Sequence, residues 1–427
     1  MEDAVQTSFK FLHAADIHLD SPMRGLSNYE NAPVDAMRGA TREALKNLVN
    51  LALAEDCAFV VIAGDLFDGS QRDISTALFF AKEMSRLGQR NIRVFIVFGN
   101  HDAESQLRTM PRPDNVTLLS NRRAETVEVP EFGVAIHGRS FARRDEDRNL
   151  AQTYPVATAG RFNIGILHTA LTGHAAHENY APCSVTDLVS KGYDYWALGH
   201  IHDFSQRHEN PAIVYPGNLQ GRSVRETGAK GAVLVTVENG AVALEHRVLD
   251  AARWDAGIID LTAITSPHGM MEQVRDYLEA AADAAADAAG ARVAAVRLTF
   301  TGRTPLHAQI IRDERNLVEE IHVLASGLGR DVWVEKIIFQ TAAIFSQAEI
   351  AAREDAIGDL ATRLAGAGQD GELMALIGDD VRALLNKLPA GLSEQDSQLL
   401  QAVQDNDLSQ LVAEAGADLV AQLVEGD

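Results

Sequence analysis

Eight residues stand out by type and by position: Asp16, His18, Asp65, Asn100, His101, His168, His200 and His202. Asp16-Ile17-His18 closes the apolar run Lys10–Ala15. Asp65 follows Val60-Val61-Ile62-Ala63-Gly64 at once. Gly99-Asn100-His101-Asp102 closes the run Arg93–Phe98. His168 ends Phe162–Leu167, and Gly199-His200-Ile201-His202 ends Tyr193–Leu198. Carboxylate, amide and imidazole donors without a thiolate suit Mn²⁺, Fe²⁺ or Zn²⁺ better than Ca²⁺. With Asp65 shared, the set fits two ions better than one. Two ions about 3.5–4 Å apart can grip the nonbridging oxygens of a phosphodiester and an attacking water. His101 is then the spare imidazole, suited to protonate the leaving oxygen.

Alone, each piece is weak. Asp-x-His is common, and a lone histidine such as His168 is ordinarily a satisfied core or surface residue. The weight lies in five such elements in one order, each at the end of an apolar run. Those runs read as buried strands. Residues at i and i+2 of an extended segment face one way, so Asp16 with His18, and His200 with His202, are expected to project together. Gly64 supplies a sharp turn before Asp65.

The stretches between the strands supply the frame. Helical periodicity runs over 40–54 and 73–87, and 116–138 alternates in short strand-like runs. A strand closes at Ile213–Asn218, and 231–248 reads as a hairpin turning at Asn239-Gly240. Strands interleaved with helices predict an α/β domain over 1–252. Strands at 257–262, 292–300 and 331–339, with helices at 270–289 and 312–325, predict a small α+β domain over 253–345. Residues 346–427 carry leucines at helical spacing with glycine breaks, which predicts two to four short helices. Asp283 and Asp287 in the alanine-rich run read as a solvated helix face.

The chain has 427 residues and a net charge of −22. Residues 346–427 hold 16 acidic and 4 basic residues, a net of −12 and over half of the excess. The charge therefore neither excludes nor supports a nucleic-acid partner. Cys57 and Cys183 match no zinc spacing and read as reduced thiols of a cytoplasmic protein. No signal peptide and no apolar run near the ~18 residues of a membrane span are visible.

In this order, Asp-x-His, Gly-Asp-x-x-Asp, Gly-Asn-His-Asp, His and Gly-His-x-His resemble the motifs of the calcineurin-like metallophosphoesterases. The stretches His13–Asp20, Leu167–Gly173, Gly192–His202 and Tyr215–Arg222 resemble the YhaO-type DNA repair exonucleases, relatives of the SbcD nuclease subunit. The resemblance covers about 1–345 and is specific over 9–230. It implies an α/β fold: a two-sheet metallophosphoesterase sandwich flanked by helices, a small capping domain and a helical C-terminal tail. It implies one ion on Asp16, His18, Asp65 and His202, and a second on Asp65, Asn100, His168 and His200. His101 would be the catalytic histidine. It further implies Mn²⁺, an SMC-like (AAA-type) ATPase partner, a homodimer and a place at the bacterial nucleoid.

Some relatives carry a second histidine three residues after the shared aspartate. Here that position is Asp68, which either orients His101 or caps the next helix. Asp102 is a further orienting candidate. Arg139, Arg143, Arg144, Arg222 and Arg225 fall in loops near the site segments and are candidates for DNA phosphates, with a solvated face as the plain alternative. His13, His137, His174, His177 and His208 read as structural or surface residues, and Tyr215–Asn218 as a supporting turn. The leading function is a Mn²⁺-dependent DNA exonuclease acting at DNA ends in repair. A small-molecule phosphodiesterase or phosphatase, and a non-catalytic metal-bound scaffold, stand beside it. The acidic tail reads as a dock for the ATPase, a shield for the DNA groove or an appendage.

Overall fold

The computed structural model describes residues 8–21, 33–68, 73–104, 112–171, 180–286, 292–345, 347–385, 402 and 407–425. The expectations for His174, His177 and Asp287 fall outside them. In chain order the first elements are β1 (Ser8–Ala14), α1 (Val34–Ala54), β2 (Phe59–Ala63), α2 (Ile74–Gly88), β3 (Arg93–Val97), α3 (Asn100–Glu104) and β4 (Val116–Leu118). There follow β5 (Glu125–Val129), β6 (Val134–Gly138), β7 (Phe162–His168), α4 (Val185–Val189), β8 (Tyr195–Gly199), β9 (Ser205–His208), β10 (Ala212–Tyr215), β11 (Gly231–Glu238) and β12 (Ala241–Val248).

These strands form two six-stranded sheets, ordered β12-β11-β1-β2-β3-β4 and β5-β6-β7-β8-β10-β9. β1 to β4 run parallel, as do β6, β7, β8 and β10. Strand alternation divides the side chains cleanly. Phe11, Phe59, Val61, Phe95 and Val97 pack against Ile136, Ile164, Ile166, Tyr195 and Val214 of the other sheet. Leu12, Val60, Ile62, Val94 and Ile96 face the opposite way, onto Leu45, Leu48, Phe80, Met84 and Leu87 of α1 and α2. The outer face of the second sheet is covered by Phe141, Leu150, Tyr154 and Leu188. Phe11 stacks on Phe59 at 5.1 Å and meets Tyr195 edge-on at 5.2 Å. Each such fully buried side chain stabilises by about 1.5–3 kcal/mol. The result is a two-sheet sandwich flanked by helices, as the resemblance implies.

β13 (Ala252–Asp260), α5 (Pro267–Ala285), β14 (Val293–Arg303), α6 (His307–Gly327) and β15 (Val332–Ala342) follow, the three strands forming one sheet. α7 (Gln347–Ala351), α8 (Ala356–Gly366), α9 (Gly371–Leu385) and α10 (Ser409–Glu425) make the tail helical. Asp355 caps α8 by accepting from Ile357 N and Gly358 N, and Ile350, Ala361 and Val420 bury one another.

The chain divides into two compact units. The first is Met1–Ala256 with Glu279–Arg297 and Gly329–Glu335. The second is Gly257–Leu278 with Leu298–Leu328 and Lys336–Asp427. Several boundaries differ from the sequence expectation, α6 for example starting at His307 rather than 312, and two of them share one reason. α1 starts at Val34 rather than 40, and β13 at Ala252 rather than 257. Met37 and Ala40 pack with Ala252, Trp254, Ala295 and Trp333. Tertiary packing, invisible in local periodicity, extends both elements.

Candidate metal centre

The loops after β1, β2, β3, β7 and β8 bring the candidate ligands together, but not by strand alternation. β1 ends at Ala14, and Asp16 and His18 both have positive φ, 49° and 43°. Asp65 (49°) and His200 (101°) do too. These are uncommon, strained positions for residues with side chains. A backbone ladder holds the first three. Asp16 N donates to Gly64 O at 3.0 Å, His18 N to Asp65 O at 2.9 Å, and Leu19 N to Leu66 O at 2.9 Å. Left-handed turns, not an extended i, i+2 pair, therefore aim Asp16 and His18.

Gly64 (φ 96°) leaves no room for a side chain: a Cβ there would strike the His168 ring. Gly64→Ala is expected to displace His168 and cost about 1–3 kcal/mol from backbone strain alone. Unchanged denaturant unfolding would contradict that packing.

The side chains converge tightly. Asp65 Oδ2 lies 3.8 Å from His18 Nε2 and 3.5 Å from His168 Nε2. Asp16 Oδ1 lies 3.8 Å from His202 Nε2, and Asn100 Oδ1 lies 3.0 Å from His168 Nε2. His200 N donates to Asp16 Oδ2 at 2.9 Å, and the His200 ring meets that of His168 at 5.3 Å. Asp16, His18 and His202 form one donor cluster, and Asp16, Asp65 and His168 another, each within 4.8 Å. His168 Nδ1 faces Ala63 O at 2.9 Å and can only donate there. Its Nε2 is thereby left unprotonated, facing Asp65 and Asn100, where it could hold a cation.

His18 tests the fit to a metal. It is 1% exposed, yet neither ring nitrogen has a hydrogen-bond partner among the described residues. A buried polar group left so costs about 1–3 kcal/mol, which a bound cation removes. Burial pushes the His18 and His168 imidazoles below their ordinary values, into the neutral form a metal needs. Burial also pushes the Asp16 carboxyl well above the usual range, with Asp65 adding to it. Two buried carboxylates within 4.8 Å of each other call for positive charge between them. The residues fit divalent cations.

On one side of this cluster sits His101, its side chain 31% exposed. Its ring meets that of His18 edge-on at 4.8 Å. His101 N donates to Asp65 Oδ1 at 3.0 Å, and its Nδ1 lies 2.6 Å from Asp68 Oδ1. Ser21 Oγ donates to the other Asp68 oxygen at 2.6 Å. Burial alone would raise the Asp68 carboxyl, but the His101 and Ser21 hydrogen bonds outweigh it and hold it at about 2. The Asp68 hydrogen bond raises the His101 imidazole in turn. The next helix, α2, is capped by Asp73 instead. Asp102 is fully buried and accepts from three backbone groups: Phe67 N at 2.8 Å, Gly99 N at 3.0 Å and Leu66 N at 3.1 Å. It ties the Asp65 loop to the Asn100 loop. Burial, with Asp65 beside it, pushes this carboxyl up to about 7.

The arginines separate. Arg139 is buried, and its Nη1 donates to Thr153 Oγ1 at 3.2 Å, so it is not presented to a DNA backbone. Arg143, Arg144 and Arg225 are exposed, and Arg143 pairs with Asp147 at 3.2 Å. Arg222 is close enough for its charge to act on Asp16, His18, Asp68 and His101. Sequence reasoning missed its partner, Glu226, which also receives His202 Nδ1 at 2.9 Å. His13 is bound inside the sandwich by Tyr195 OH and Leu198 O, and His137 by Thr126 and Asn163. His208 Nδ1 faces Pro211 O.

Fold and site together define a metal-dependent phosphoesterase. The chain belongs to the calcineurin-like metallophosphoesterases: residues 9–204 match the family model described as calcineurin-like phosphoesterase. Residues 254–342 match the middle domain of metallophosphoesterase YhaO. The chain is 36% identical over 275 residues to the uncharacterized metallophosphoesterase YhaO of Bacillus subtilis, covering 63% of this chain and 67% of that protein. It is 25% identical over 258 residues to the DNA double-strand break repair protein Mre11 of Thermoplasma acidophilum, covering 57% of this chain and 66% of that one. It is 28% identical over 229 residues to the protein of the same description from Methanopyrus kandleri, covering 49% of this chain and 48% of that one. No helix among the described residues is long and apolar enough to cross a membrane.

Proposed function

We propose that this chain is a two-metal DNA exonuclease, hydrolysing phosphodiester bonds at DNA ends. The observation that carries the reading is the buried donor cluster with one histidine, His101, on its exposed side. DNA as substrate is supported by the relatives described as DNA double-strand break repair proteins. Asp16, His18, Asp65 and His202 would hold one cation, and Asp65, Asn100, His168 and His200 the other, with Mn²⁺ the ion of choice. When bound, such cations supply Lewis acidity toward a phosphate and acidify water.

The chain's own residues do the rest. An ionised Asp68 has no proton to give, so His101 Nδ1 donates to it and Nε2 carries the mobile proton. His101 hands that proton to the departing oxygen of the DNA strand. Arg222 would meet the phosphate with its charge. A domain division at 252 and 345, with the middle domain shaping access to DNA, belongs to the same reading. So do a homodimer and an SMC-like ATPase partner, for which co-purification is the check.

The test is an end-labelled linear duplex with purified protein and Mn²⁺, beside His101→Ala and a chromogenic phosphodiester. Loss of the duplex with the wild type but not the variant is expected. An intact duplex with fast cleavage of the small ester would make the protein a small-substrate phosphodiesterase. Cleavage of neither would point to the scaffold.

A further inference from the structure

We propose that Glu226 is a positioning residue of the centre, fixing His202 as a ligand and Arg222 beside it; this rests on the metal reading above. Glu226 Oε1 lies 2.9 Å from His202 Nδ1. The same carboxylate accepts from Arg222 Nη2 at 2.8 Å, Arg222 N at 2.8 Å and Asn218 Nδ2 at 2.9 Å. A carboxylate taking that many N–H bonds, one from a guanidinium, is an acceptor only. Nδ1 must therefore be the nitrogen of His202 that carries the proton. Nε2 is left with its lone pair on the side of Asp16 Oδ1, 3.8 Å away.

The backbone around the pair is pinned as well. Asn218 N donates to His202 O at 3.2 Å, and Lys230 Nζ to the same oxygen at 2.9 Å. Glu226 N closes a turn onto Ser223 O at 2.9 Å. With its side chain 13% exposed, Glu226 is held on every oxygen. One carboxylate thus serves two ends: the His202 ring and the Arg222 guanidinium. Glu226→Gln keeps the shape but turns an amide NH₂ toward donors that also carry N–H, so one contact must break.

Mn²⁺ binding to the full chain, stripped with chelator and followed by titration calorimetry, tests the proposal. Wild type is expected to take up two ions. Glu226→Gln should weaken one of them about 10- to 100-fold and spare the other. Two ions bound at wild-type affinity, or both weakened alike, would overturn the assignment. Ring ¹H–¹⁵N spectra of the metal-free wild type decide the same point without any variant. A proton on His202 Nδ1 is expected, and one on Nε2 instead rejects the role. Wild type that takes up no Mn²⁺ defeats the metal reading itself, and the ring spectra still decide Glu226.

Discussion

Replacing Asp65 by alanine is expected to take metal content from about two ions per chain to near zero, and hydrolysis to background. The reason is position. Asp65 Oδ2 lies between His18 Nε2, at 3.8 Å, and His168 Nε2, at 3.5 Å, histidines of the two proposed half-sites. Its other oxygen accepts from His101 N at 3.0 Å, so the backbone under His101 loosens too. A loss confined to one half-site would leave about one ion. Elemental analysis of the dialysed variant separates these outcomes, and two ions per chain would rule out Asp65 as the shared ligand.

His101→Ala should differ in kind. It keeps its metal and loses rate, on the order of 10²-fold or more, as removal of a general acid does. Asp68→Asn should act through pH. Asp68 raises the His101 imidazole, so removing its charge moves the alkaline limb of the rate profile to lower pH. An unmoved limb would mean that His101 is not the group whose proton is lost there.

The pair also links stability to pH. His101 is raised, so its contribution is full below the unfolded histidine value of about 6.5 and fades as pH climbs through the folded value. Asp68 is depressed to about 2, so its contribution is full above the unfolded value of about 3.9 and is lost as pH falls through 2. Both are present together between roughly pH 4 and 6.5.

Much of the centre was legible because its residues close apolar runs, and a run of Val, Ile and Phe declares its own end. The geometry behind it was not. Positive φ values at Asp16, His18 and Asp65 go with a ladder between two loops, and that at His200 with a bond from its N–H to the Asp16 carboxylate; no local pattern announces a non-glycine residue there. Asp102 reads as an orienting candidate from its place beside His101, but its three backbone donors come from two separate loops and appear only in the fold. Arg139, a loop residue that reads as a phosphate contact or a solvated face, is buried with its guanidinium on Thr153. Glu226 had no signal. It sits in a loop 24 positions from His202, and only the folded chain brings the two together. In the frame, continuous apolar runs mark the strands, whereas the early starts of α1 and β13 go with packing of Met37 and Ala40 on Ala252, Trp254, Ala295 and Trp333, residues distant in sequence from α1.

The fastening of β13 bears on where the protein can be cut. Gln220 Oε1 accepts from Ala251 N at 2.7 Å and Ala252 N at 3.2 Å, and Gln220 Nε2 donates to Ala252 O. Trp254 Nε1 donates to Gly221 O at 3.1 Å, and Gly228 N to Trp254 O at 3.0 Å. The loop carrying Arg222 and Glu226 is thus sewn to a strand that a fragment ending with β12, the last strand of the sandwich, would omit. The minimal unit that retains that loop's seam is longer than the sandwich, and it extends at least through Trp254.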